Sequence, residues 1–392
     1  MKPAKHVVIT QKENCCGCTA CYAVCPLNAI EMVADEEGFQ YPRVDEDKCV
    51  NCGLCVSCCP LIAGNRYVQT NSFYAVRHAS EEVRAKSSSG GIFSAIAQNV
   101  VAHNGVVYGA AFDQTFAVRH VRTDKHTWEK LKTSKYVQSD MGDVYAQVKL
   151  DLKAGLPVLF TGTPCQVDGL NQYLKNTDTE KLITCDIVCH GVPSPKIWKE
   201  YLEQLKRKSR KEIQSINFRN KEGCGWHRPT IKIVGTDGTV LSDEPLDMCY
   251  YYLLFMGHAI LRPSCFSCQY ANLQRPGDIS MGDYWGVEKH HPELDDDKGL
   301  SLVMANTKKG QSLIAQVAGD CMLVPVAKKE CMQPNLQEPA QDYGDRSVFW
   351  RTYHKYGLEY AGKRMGLLKM GVWDKFVILG MRILDKLSRC LR

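Results

Sequence analysis

The chain has 392 residues, 44% of them hydrophobic and 23% charged, with 20 cysteines; that length exceeds one average domain and allows a large core. So many cysteines would mark a secreted disulfide scaffold behind a signal peptide, but Met1–Asn14 offers only Val7, Val8 and Ile9 as an apolar run, so the thiols read as reduced and the compartment as cytoplasmic. No apolar run approaches the roughly twenty residues a bilayer span requires, and the formal charge of +6 counts every thiol as neutral.

From the N-terminus, the spacing C-x-x-C-x-x-C-x-x-x-C-P occurs twice: Cys15, Cys18, Cys21, Cys25 with Pro26, then Cys49, Cys52, Cys55, Cys59 with Pro60. A [4Fe-4S] cube needs four converging thiolates, three from a tight loop and the fourth from further away, and in two-cluster ferredoxins the fourth crosses over. That rule predicts one cube on Cys15, Cys18, Cys21 and Cys59 and another on Cys49, Cys52, Cys55 and Cys25, with Cys16 and Cys58 as bystanders packed beside them. Zinc sites show two C-x-x-C pairs with a longer spacer and not this doubled triplet. Each all-cysteine cube contributes about −2 when oxidised, so three would cancel the apparent basicity, which is therefore no argument for nucleic acid. Ile30–Val33 and Gln40–Val44, around Glu37-Gly38, read as short strands of this α+β ferredoxin-like unit at residues 1–64, and Gly64-Asn65-Arg66 as a linker.

Beyond the linker, at residues 70–330, helix and strand periods alternate. Ile92, Phe93, Ile96, Ala97, Val100 and Val101 form a helical pattern stopped by His103-Asn104-Gly105, followed by a strand from Gly105 to Phe112. Asp143 to Lys153 is an amphipathic helix, Pro157 to Phe160 a wholly apolar buried strand, and Thr161-Gly162-Thr163-Pro164 turns it into a further helix with Pro164 at the first position. Leu182 to Val188 is another buried strand, so the order predicts an α/β domain with a mixed, partly parallel sheet. A helix from Lys196 to Lys208 and a hairpin of Thr230–Val234 with Thr239–Ser242 about Asp237-Gly238 follow. Residues 331–392 read as a helical C-terminal extension. In it Trp373, Phe376, Val377, Gly380, Ile383, Leu384 and Leu387 recur at helical spacing among Lys375, Arg382, Lys386 and Arg389, a helix for its own domain, a partner subunit or a membrane surface.

Two further groups carry chemistry. Cys165 opens a helix, Cys189 follows a strand, and Cys265 and Cys268 form a C-x-x-C; strand ends at the carboxyl edge of an open sheet are where ligands sit. Spacing alone leaves three readings for them: a third cluster, a zinc site, or a redox thiol activated by the helix terminus. Ser87-Ser88-Ser89-Gly90-Gly91 ahead of Ile92 reads as a phosphate cradle of backbone N–H groups or as a plain N-cap.

In order, the cysteine runs, Ser88-Ser89-Gly90-Gly91, Thr133-Ser134-Lys135-Tyr136, Gly162-Thr163-Pro164-Cys165-Gln166, Cys189-His190-Gly191, Cys265-Phe266-Ser267-Cys268 and Gly277-Asp278-Ile279-Ser280-Met281-Gly282-Asp283-Tyr284-Trp285-Gly286 resemble the coenzyme F420 hydrogenase/dehydrogenase β-subunit family with a two-cluster ferredoxin domain. The resemblance implies an FAD with a third [4Fe-4S] cluster beside it, on Cys165, Cys189, Cys265 and Cys268. It also implies that Ser88, Ser89, Gly90 and Gly91 face the flavin diphosphate, with Lys135 and Tyr136 as ring or phosphate contacts. The implied activity is an iron–sulfur flavoprotein oxidoreductase passing electrons between a two-electron substrate, coenzyme F420 or another reduced carrier, and a one-electron partner protein or subunit. The alternative is a non-catalytic, ferredoxin-like electron-transfer subunit of a larger redox complex. No further cysteine pairs suit a nickel–iron centre, so hydrogen activation by this chain alone is not expected.

Overall fold

Two short segments between the cysteine runs pair with each other: in the computed structural model, which describes residues 6–64, 67 and 72–368, β1 (Ile30–Ala34) runs antiparallel to β2 (Gln40–Val44). The cysteine loops precede and follow this ribbon in the chain. The remaining strands are β3 (Ser72–His78), β4 (Val106–Phe112), β5 (Val118–Thr123), β6 (Val158–Gly162), β7 (Leu182–Ile187), β8 (Ile213–Asn220), β9 (Thr230–Gly235), β10 (Val240–Pro245), β11 (Ile279–Asp283), β12 (Ser301–Ala305) and β13 (Cys321–Pro325).

Eight of these form one mixed sheet in the order β13-β3-β12-β11-β7-β6-β4-β5. Its centre, β4-β6-β7-β11, is parallel, and its flanks are antiparallel. The central strands are largely buried on both faces, which explains the apolar runs Val106–Phe112 of β4 and 158–160 of β6. Alternation sorts the side chains: Val107 and Leu159 pack under the helices Ile92–Ala102 and Lys308–Gln316, through Ile96, Val100, Leu313 and Ile314. Val106, Tyr108, Val158 and Phe160 face the opposite way, onto Val144–Lys153 and Pro164–Tyr173 through Val148, Val167 and Leu170. The result is a three-layer α/β unit.

The expected hairpin is β9 with β10, joined by a third strand, β8, to form a separate antiparallel sheet. It shares a core with the helices Pro195–Ser209, Tyr250–Met256 and Asp345–Arg364, in which Trp198, Phe218, Ile231, Tyr251 and Phe349 are buried. After a short helical turn at Pro334–Leu336, the long helix of the C-terminal stretch starts at Asp345, and the amphipathic pattern from Trp373 to Leu387 lies outside the described residues. Among the described residues no helix is long and apolar enough to cross a membrane.

Candidate functional site

The two cysteine loops of the N-terminal unit have the same backbone. Gly17 and Thr19 in the first, and Asn51 and Gly53 in the second, take left-handed conformations at equivalent positions, curling each C-x-x-C-x-x-C segment around a centre. Cys21 lies within electrostatic reach of Cys15 and Cys59, Cys18 of Cys15 and Cys21, and Cys59 of Cys15. Cys25 lines one cavity with Cys49, Cys52 and Cys55. The chain therefore gathers three thiols from one run and the last thiol of the other in each group. Backbone N–H groups point at sulfur in the second set, Val7 N to Cys55 Sγ at 3.3 Å and Ala29 N to Cys25 Sγ at 3.3 Å.

The third group forms at the carboxyl edge of the parallel strands. β6 and β7 are paired so that Gly162 stands opposite Asp186, and both chains leave the sheet at that end. After β6, the Thr163 amide donates to Gln166 Oε1 at 2.9 Å, which caps the helix Pro164–Tyr173 and sets Cys165 in its first turn. Cys189 lies two residues beyond β7. Cys265 and Cys268 arrive on the short turn Pro263–Ser267, tied down by Arg262 N donating to Val192 O at 3.0 Å and Val192 N to Cys265 Sγ at 3.4 Å. The turn's far side is held by a wholly buried ion pair. Arg275 donates to Asp186 Oδ1 at 2.6 Å and to the carbonyls of Tyr270 and Ile187, each at 2.7 Å.

Cys165, Cys189, Cys265 and Cys268 line one cavity, and Cys16 is a fifth thiol in its wall, within hydrogen-bonding reach of Cys165. Spacing marks Cys16 as a bystander of the first loop, whereas the fold gives it a place at the third set. The hydrogen bond to Cys16 and burial push Cys165 up, and burial with the neighbouring thiols pushes up Cys189 and Cys265, the latter to about 12. That direction is opposite to activation by the helix terminus. Buried thiolates that repel one another are stabilised by a bound cation. Among the described residues all cysteines are free, and no three His, Cys, Asp or Glu side chains close around a single-ion position.

The N-terminal unit docks directly on this edge. A Cβ on Gly169, in the helix Pro164–Tyr173, would lie 3.0 Å from Cys18 Sγ. Tyr22 Oη donates to Asp143 at 2.9 Å, and Gln269 Nε2 to Pro60 O at 3.2 Å. Cys58 interacts with both Cys55 and Cys59 and so lies between the first two sets, as Cys16 lies between the first and third.

The serine-rich turn follows β3. Gly90 is pressed against the sheet, where a Cβ would meet Val76 O at 2.2 Å and Ser301 N at 2.7 Å, so no larger residue fits. Its hydroxyls serve the turn itself: Ser87 Oγ donates to Val83 O, Ser89 Oγ to Leu300 O, and Ser88 Oγ accepts from Ser134 N. The last bond brings Lys135 beside the turn, its Nζ donating to Lys132 O at 2.8 Å and Thr133 O at 3.1 Å. Lys221, at the end of β8 and missed in the sequence, donates from Nζ to Ser89 O at 3.2 Å and Arg84 O at 2.8 Å. Burial pulls Lys135 down to about 7 and Lys221 to about 8. Two desolvated amines at one turn suit an anionic ligand. Tyr136 packs its ring against Phe218, Tyr252 and Phe255 at 5.3, 5.5 and 5.4 Å.

Residues 156–329 match the family model for the C-terminal part of the coenzyme F420 hydrogenase/dehydrogenase beta subunit, and residues 14–63 match a 4Fe-4S dicluster domain. No curated protein matches the chain. Among solved structures it is similar to a chain of the F420-reducing [NiFe] hydrogenase complex from Methanosarcina barkeri, at 19% identity and a TM-score of 0.46, over 67% of this chain and 84% of that one.

Proposed function

We propose, since this chain belongs to the coenzyme F420 hydrogenase/dehydrogenase beta-subunit family and carries a 4Fe-4S dicluster domain ahead of it, that it is an iron–sulfur flavoprotein that moves electrons between a two-electron carrier and a one-electron partner. The dicluster domain makes it an electron-transfer protein with two [4Fe-4S] clusters. We assign one to Cys15, Cys18, Cys21 and Cys59 and the other to Cys25, Cys49, Cys52 and Cys55. A third is assigned to Cys165, Cys189, Cys265 and Cys268, and FAD to the Ser88–Gly91 turn with Lys135 and Lys221.

The observation that carries this reading is the chain of adjacent thiol sets, with Cys16 in the wall of the third and Cys58 between the other two. A flavin, when bound, takes up two electrons together and passes them on singly, and each cubane carries one. The protein's own part is to hold and order these stations. Cys165 and Cys189 at paired strand ends fix the innermost thiols, and the Asp186–Arg275 pair steadies the loop bearing Cys268. Lys135 and Lys221 supply positive charge at the serine turn. At the opposite end, Leu27, Val50 and Leu54 around the second set are 46%, 68% and 43% exposed, and that rim is the proposed contact for the one-electron partner. Coenzyme F420 is the two-electron carrier we favour from the family.

Oxygen-free purification followed by iron, sulfide and flavin analysis tests the proposal. About twelve iron atoms with one FAD are expected; about eight iron atoms and no flavin would replace it with the non-catalytic relay. In Cys265→Ser, about four iron atoms should be lost while the paramagnetic signals of the first two cubes persist. Oxidation of added reduced coenzyme F420 by flavin-loaded protein, followed by deazaflavin absorbance, tests the choice of carrier.

A further inference from the structure

Arg262 belongs to two sites at once. Its backbone lies three residues before Cys265, and its side chain reaches into the first cysteine loop: Nε donates to Cys15 O at 2.7 Å and Nη2 to Cys15 Sγ at 3.5 Å. The remaining bonds, Nη2 to Gln40 O at 3.0 Å and Nη1 to Gln138 Oε1 at 3.1 Å, go to neutral acceptors. The guanidinium lies over the Tyr41 ring at 4.3 Å, and the residue is 0% exposed. Among the described residues no carboxylate lies within ion-pair distance of it. The loop is shaped around it, since a Cβ on Gly17 would lie 2.7 Å from Arg262 Nη1.

A buried guanidinium without a carboxylate is costly unless some other anion answers it; the sulfur it touches is that of Cys15, and it also lines the cavity of the third set, within electrostatic reach of Cys265 and Cys165. The second set, by contrast, receives neutral backbone donors from Val7 and Ala29. Reduction of an all-cysteine cube adds one electron and no proton, taking its charge from about −2 to about −3. A fixed cation and a charge-assisted N–H···S bond therefore favour the reduced form, and both count for more away from water.

We propose that Arg262 is the counter-cation of the cluster on Cys15, Cys18, Cys21 and Cys59, and that it raises this cluster's reduction potential so that the station next to the third set accepts electrons readily. The proposal rests on the cluster assignment above, and the two fail differently. Absence of iron or of paramagnetic signals in the parent protein removes the assignment; an unmoved potential with iron intact removes only the role of Arg262.

The test is a redox titration of the full chain, monitored by electron paramagnetic resonance, with Cys265→Ser identifying the third cluster's signal. In Arg262→Gln one ferredoxin signal should become at least tenfold harder to reduce, about 59 mV for one electron, with a smaller shift in the third cluster's signal, whose cavity Arg262 also lines, and none in the other ferredoxin signal. Arg262→Lys, which keeps the charge without the planar fork, should shift the same signal less. Unchanged potentials, or a shift confined to the signal that Cys265→Ser abolishes, would overturn the proposal. Should the variants fail to hold iron, parent protein grown with ¹⁵N-guanidinium arginine decides: pulsed resonance should detect that nitrogen coupled to a ferredoxin cube, and its absence refutes the contact.

Discussion

Replacing Asp186 with alanine should unfasten the third thiol set. The carboxylate is 0% exposed, accepts from Arg275 Nη2 at 2.6 Å and Nε at 3.0 Å, and takes the Gly277 amide at 2.8 Å on its other oxygen. Removing one partner of a buried pair costs about 3–5 kcal/mol, and an orphaned buried N–H about 1–3 more. Arg275 keeps the carbonyls of Tyr270 and Ile187, and its Nε lies 3.2 Å from Ser280 Oγ, so the loss should fall near the lower end, about 4 kcal/mol, out of a total of about 5–15. Oxygen-free urea titration should show the lower midpoint at an unchanged slope. Iron release to a chelator in dilute urea should begin with about four atoms, since Cys268 lies just before the held segment. In Asp186→Leu with Arg275→Met, an apolar pair without an orphaned charge, most of the stability should return. A single variant within about 0.5 kcal/mol of the parent, or a double variant as damaged as the two singles added, would refute this account of the clasp.

Lys135 gives a pH dependence. Burial holds it at about 7, below its free value, so in the flavin-free protein the charged amine is penalised below that point, and stability should rise as pH climbs from about 7 toward the unfolded value near 10.5. Binding of the proposed flavin should follow the opposite course, weakening by about tenfold per pH unit above the Lys135 pKa as the charge offered to its phosphate disappears. Lys135→Met should flatten both trends, as measured by thermal midpoint and flavin fluorescence. Gly169→Val should push its side chain into Cys18 and Tyr145 Oη, which a Cβ would already meet at 2.8–3.0 Å, costing about 1–3 kcal/mol and disturbing the first cube's signal before the second's.

What could be read from the chain divides along a physical line. The thiol runs were legible because a cube imposes local spacing, and β6 and β7 because strands covered on both faces are rich in apolar residues, from Val158 to Phe160 and at Leu182, Ile183 and Ile187. β8 was not, because Gln214, Ser215 and Asn217 interrupt its pattern and its pairing with β9 slips register twice. The edge position of Cys165 and Cys189 followed from strand order, but nothing local announces that Asp186 and Arg275, 89 residues apart, bind the Cys265–Cys268 segment to that edge. Arg262 and Lys221 were invisible for the same reason, since a single basic residue acquires its role only from what the fold sets against it. This distinction itself predicts an order of failure. The first two thiol sets each draw on one tight loop plus a single distant cysteine, whereas the third requires β6, β7 and a remote turn to be assembled together. Perturbations of tertiary packing should therefore release the iron of the proposed third cluster while both ferredoxin cubes remain; simultaneous loss of all three would show that the edge of the sheet and the N-terminal unit stand or fall as one cooperative body.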